Sequence, residues 1–196
     1  MENQPQVAVG FLRGTGAAIN VSLGWIPDHV KVVNLTDGDD YWENWLAKVI
    51  AFTSGGTTEI KAGDTLKGNT SGAEAVIQQV IVDTGTWAAG TAAGWLILRP
   101  GTHGSTAFGS ETAHRSGVDA DGTDAITVAV ADQDGIDIDT EVAGTTTAAT
   151  NISEYQGSAG SAGVGFTVGA TISEDAKLLG YVAVRGFPGI TNSASA

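Results

Sequence analysis

Cysteine is absent from the 196 residues, which excludes disulfide scaffolds, thiolate metal sites and cysteine nucleophiles together. Basic side chains are scarce: 9 Lys and Arg stand against 22 Asp and Glu, for a formal net charge of −13. Holding a phosphate backbone requires clustered Lys and Arg, so no direct contact with nucleic acid is expected. No apolar run approaches the ~18 residues of a membrane span, so no membrane partner is expected either. The opening MENQPQVAVG has no basic stretch followed by an apolar one, which predicts no secretory signal. Proline is limited to 4 residues and charged residues to 16%, whereas glycine reaches 28 and hydrophobic residues 42%. That hydrophobic share sustains a core, and the low charge argues against disorder. Many short strands joined by glycine-containing turns fit this balance.

Local patterns agree. Ile19, Val21, Leu23 and Trp25 alternate with Asn20, Ser22 and Gly24, the period of a strand with one buried face. Pro27 and Asp28 mark a turn, and a second apolar run extends from Val30 to Leu35. Its apolar set changes phase between Val32 and Val33, which predicts a bulge there. Ala73 to Val82, Trp95 to Arg99, Ala125 to Val130, Gly165 to Ile172 and Leu178 to Gly186 also read as strands, giving ten to twelve in all with weaker segments. Tyr41, Trp42, Trp45, Leu46 and Val49 recur at helical spacing behind Asp39 and Asp40, which predicts a short amphipathic helix near 40–50 covering a sheet. Residues 157–165 are almost entirely Gly, Ala and Ser, the composition of a connector.

Chemistry-bearing constellations are sparse. From Ser116 to Ala176 there is no Lys or Arg but 11 of the acids, including Asp119, Asp121, Asp124, Asp132, Asp134, Asp137, Asp139 and Glu141. Closely spaced carboxylates suit calcium, but within the run Asp119 to Glu141 the EF-hand spacing fails from Asp119, where position five is Thr123, and from Asp132, where it is Ile136. These acids are read as solvated loop residues, with structural calcium as the alternative, so no cofactor and no metal ligand are expected. Acid pairs in such a run arise by chance and do not single out a glycosidase. His29, His103 and His114 follow no ligand spacing, although His103, His114 and Glu111 are candidates to share a site. No G-x-S-x-G elbow, P-loop or dinucleotide fingerprint occurs. The expectation is a protein that is not an enzyme and has no catalytic residues.

Two segments carry a resemblance. FLRGTGAAINVSLGWIPDHVKVVNLTDGD, Phe11 to Asp39, and GVGFTVGATISEDAKLLGYVAVRGF, Gly163 to Phe187, resemble paired N- and C-terminal strands of virion proteins of tailed bacteriophages. AGDTLKGNTSGAEAVIQQV, Ala62 to Val80, with GWLILRPGTHGSTAFGSET, Gly94 to Thr112, is similar to small β-barrel modules of phage head and tail proteins. Among such proteins a short chain without coiled-coil or collagen-like repeats looks most like a head decoration (cement) protein. The resemblance implies a place on the outer surface of the capsid, synthesis in the host bacterial cytoplasm, the major capsid protein as partner, and self-association as a trimer. An acidic exterior protein is compatible with that reading, since a lumen-facing one would be repelled by packaged DNA.

The fold class expected is therefore mainly β: a β-sandwich with an inserted small β-barrel-like module and one short helix. Residues 1–54 and 118–190 would form the sandwich, 55–117 the insert and 191–196 a frayed tail. Candidate interface residues are Arg13, behind an N-terminal arm (Gln4 to Leu12) able to add as a strand to a neighbour, and Lys61, Lys67 and Arg99, positive charges on the insert. Trp87 in a Gly/Ala-rich loop is read either as an exposed anchor or as a folded-over hydrophobic cap. A tail-fibre or baseplate carbohydrate-binding module, using Trp87 and Trp95, is the alternative function, and a capsule depolymerase a third.

Overall fold

The computed structural model describes residues 6–38, 40–104, 106–117, 126–128, 136–139, 145–148, 151–157 and 163–186. The chain opens with β1 (Gln6–Arg13), β2 (Ile19–Ser22), β3 (His29–Asn34) and β4 (Tyr41–Trp45). It continues through β5 (Lys48–Thr53), β6 (Thr65–Gly68), β7 (Glu74–Thr84), β8 (Ala93–Leu98), β9 (Thr112–Arg115) and β10 (Ile126–Val128). It returns through β11 (Ile136–Asp139), β12 (Thr145–Ala148), β13 (Ile152–Tyr155), β14 (Gly165–Val168) and β15 (Leu178–Arg185). Two compact units result: residues up to Ala47 with those from Asp134 to Gly186, and those between Lys48 and Gln133.

In the first unit a six-stranded sheet runs β1-β15-β3-β4-β11-β12, and a three-stranded sheet runs β13-β14-β2. Val30, Val32, Trp42, Leu179 and Ala183 of the larger sheet share one core with Val21, Ile152, Phe166 and Val168 of the smaller. The second unit is a closed antiparallel barrel, β10-β5-β8-β7-β6-β9. Closure leaves no sheet edge. Its interior is filled by Ile50, Phe52, Leu66, Ala75, Ile77, Leu96, Leu98, Ala113 and Ile126.

The fold is thus mostly β with a closed six-stranded barrel, and the expected helix is overturned: among the described residues there is none. Tyr41–Trp45 is a strand that buries Trp42 and Asn44 and turns Tyr41, Glu43 and Trp45 to the other face. Lys48–Thr53 then enters the barrel as β5. Residues 41, 42, 45 and 46 mimic helical spacing because this segment is apolar on both sides, and a two-sided apolar strand and a helix share the same i, i+4 pairs. The bulge expected at Val32/Val33 is also absent, since β3 keeps one register against β15 and β4 throughout. Val33 simply faces outward, and Asn34 takes the inward position. The described strands exceed the ten to twelve expected, the short pieces being too brief to show periodicity. Residues 191–196 and most of the acidic run from Asp119 to Glu141 lie outside the described residues.

Candidate interaction face

Alternation along each strand sorts the six-stranded sheet into two faces. On β1 the small residues Ala8 and Gly10 point with Leu12 toward the core, while Val7, Val9, Phe11 and Arg13 point away. Gly10 has a packing reason: a Cβ there would meet the Tyr181 ring at 2.5–2.6 Å. Opposite β1, Leu178, Gly180, Val182 and Val184 occupy the outward positions of β15, in the register Val9↔Val182 and Val7↔Val184. The row extends into β3 through His29, Lys31 and Val33, and into β4 through Trp45, Glu43 and Tyr41. Leu35, just beyond β3, lies across Gly180.

Of the eight large hydrophobic residues exposed among the described residues, seven stand on this one face: Val7, Val9, Phe11, Leu35, Trp45, Leu178 and Val182. Phe11 is 71% exposed, Val9 69% and Trp45 56%. Together they offer on the order of 700 Å² of mostly apolar surface, above the largest patch on a typical monomer and near the ~800 Å² per partner of a standard interface. The eighth, Trp95, is on β8 of the barrel. The face is close to electroneutral. Lys31 stands opposite Glu43 in register and lies over the Tyr41 ring at 4.0 Å. Glu43 also meets His29 Nε2 at 2.7 Å, and the His29 ring packs against Trp45 with centroids 4.6 Å apart.

The edge of this sheet is equally informative. β1 pairs with β15 over its whole length without a register shift, so the segment read as a free N-terminal arm is, from Gln6 onward, part of its own sheet. Among the described residues nothing pairs with its other side. Gly14 N donates to Lys177 O, whereas Leu35 N and Asp28 N donate to Leu178 O and Val184 O. Even-numbered β1 residues therefore bond to β15, and Val7, Val9, Phe11 and Arg13 turn their N–H and C=O groups to the open edge.

The residues singled out from the sequence are divided between the two units. Arg13 ends β1 on the apolar face. The other four belong to the barrel unit. Lys61 pairs with Glu59 at 3.4 Å and Lys67 with Glu74 at 3.1 Å. Arg99 follows β8; its N–H donates to Val76 O, and its Nε is buried without a hydrogen-bond partner. The Trp87 ring stacks on Phe52, centroids 5.3 Å apart and planes 9° from parallel, against the barrel core. The sequence reading missed the seven face residues. Their signal was there, as apolar residues at both odd and even positions of β1, β3 and β4.

Glu111, His103 and His114 do not form a metal centre. Glu111 Oε2 accepts from Thr70 N at 2.6 Å and Ser71 N at 2.9 Å, and Oε1 accepts from Gly109 N at 3.1 Å. Burial would raise this carboxyl, but the Ser71 hydroxyl and the amides of Ser71, Gly109 and Thr70 outweigh it and hold it below its ordinary value. The arrangement explains why TSGA (Thr70 to Ala73) and F-x-x-E-T (Phe108 to Thr112) occur together, since one supplies the turn and the other its capping carboxylate. His114 Nδ1 instead meets Asn69 Oδ1. Among the described residues no group of three or more His, Cys, Asp or Glu is placed to hold a metal ion.

The chain matches no protein-family model, no curated protein and no solved structure.

Proposed function

We propose that this chain is a capsid decoration protein of a tailed bacteriophage, acting without catalysis by docking on the outer surface of the head and reinforcing contacts between major capsid subunits. The observation that carries the reading is the concentration of exposed hydrophobic side chains on one face of the six-stranded sheet. A face of that size and low charge is suited to a protein partner and costly to leave in water. Two of its three aromatic rings, Tyr41 and Trp45, are already engaged by Lys31 and His29, which favours protein over stacked sugars. Many copies on a symmetric shell act by avidity, so each contact can be modest.

The test uses the full chain and expanded, undecorated capsids. Saturable binding and a raised capsid melting temperature are the expected results. Val182→Lys places a charge in the middle of the face and is expected to weaken shell binding at least about ten-fold, a loss typical of a hot spot. Its own melting temperature should hardly change, because Val182 is exposed. Absence of saturable binding by the unsubstituted protein overturns the proposal.

A further inference from the structure

We infer that the open edge of β1 is a self-association site, at which β1 pairs antiparallel with β1 of a second copy about a two-fold axis. Three observations favour a second copy. First, the edge has none of the guards that keep monomeric sheets apart: from Val7 to Leu12 there is no Lys, no Pro, no acid and no bulge. Second, the outward-turned backbone groups belong to Val7, Val9, Phe11 and Arg13, an evenly spaced set that an antiparallel copy can satisfy in full. Centred on Gly10, the pairing sets Val9 against Phe11 and Val7 against Arg13, each twice over. Gly10 faces Gly10 at the axis, in the non-hydrogen-bonded position where backbones approach most closely.

Third, charge points the same way. The whole chain carries −13, so two copies repel unless they meet through a segment free of acids. β1 is such a segment, and in this register the two Arg13 side chains stand at opposite ends of the paired strands. An isologous contact of this kind closes at two copies. It joins the two six-stranded sheets edge to edge and makes their apolar faces continuous. The pairing does not depend on the capsid reading, because it uses the edge of the sheet rather than its face. It does differ from the trimer that the phage resemblance implies.

Sedimentation velocity on the full chain at tens of micromolar decides the matter. A dimer of twice 19.8 kDa is expected. Val9→Pro removes one outward N–H without touching the β15 ladder, and should weaken dimerisation at least about ten-fold while leaving the melting temperature of the dilute protein unchanged. Val9→Lys, which keeps the backbone intact and adds an edge charge, is expected to do the same and serves if the proline variant fails to fold. Val182→Lys, on the face but not on the edge, should remain dimeric. A monomer across this concentration range, a trimer, or a dimer unaffected by the Val9 variants overturns the inference. Shell binding is read separately, so a failure here leaves the capsid reading standing, and the converse holds too.

Discussion

At the scale of single residues, two polar side chains hold turns that apolar packing cannot. Asn34 is 3% exposed at the end of β3. Its Oδ1 accepts from Thr36 N at 3.0 Å and Asp37 N at 3.2 Å, and its Nδ2 donates to Asp37 Oδ2 at 2.7 Å. Lys177, 2.6 Å from the same oxygen, and then Asn34 hold the Asp37 carboxyl below its ordinary value. Asn34→Ala strands two amides and should cost about 1–3 kcal/mol, read from chemical unfolding of the first unit. Glu111 does the same work in the barrel, and Gly68 leaves it room: a Cβ there would lie 2.5 Å from Ser71 Oγ and 2.6 Å from Glu111 Oε1. A carboxyl held below its ordinary value stabilises the fold fully above that value, 4.5 for glutamate, and the contribution vanishes as pH falls through the lowered one. Glu111→Gln should therefore cost about 1–2 kcal/mol at pH 7. The difference from the unsubstituted protein should shrink steadily on acidification below the ordinary value, in melting curves at stepped pH.

At the scale of elements, the strands hardest to read are those that make the candidate face. A strand buried on one side announces itself by alternation, as β2 does with Ile19 and Val21 against Asn20 and Ser22. β3 and β4 carry apolar residues on both sides, so Val33 looked like a phase change and Tyr41 to Leu46 like a helix. Both misreadings have one physical cause: Val33, Tyr41 and Trp45 put apolar side chains at outward positions as well, so alternation no longer marks a single buried side. β1 goes further, with Val7, Val9 and Phe11 outside and the small Ala8 and Gly10 inside beside Leu12. Val182 stands on the face alone, whereas Val9 belongs to both face and edge, so Val182→Lys is expected to weaken shell binding without dissociating the dimer, and Val9→Pro to weaken dimerisation.

At the scale of the whole molecule, the two units have separate cores with no residue in common. Each should therefore melt as its own cooperative step, and a core change in one should leave the other in place. Trp87→Ala removes the ring stacked on Phe52 and should lower only the barrel transition, by about 2–3 kcal/mol, in calorimetry. Asn34→Ala should move only the other. One merged transition shifted by both changes would show that the units unfold together.

The β class, the exclusion of thiol chemistry and the strand content of the N- and C-terminal segments were determined by the sequence alone, because composition and alternation report burial on one side of a strand. That the TSGA turn and the distant Glu111-Thr112 pair belong to one module was implied by a resemblance, and the hydrogen bonds that join them are displayed only by folding. Tertiary structure alone decided where β5 belongs, that Trp87 lies on Phe52, and that seven scattered apolar residues share one face. Periodicity records which neighbours a residue has along its own strand. Which strands lie side by side, and which edge is left without a partner, depends on pairings between residues as far apart as Val9 and Val182.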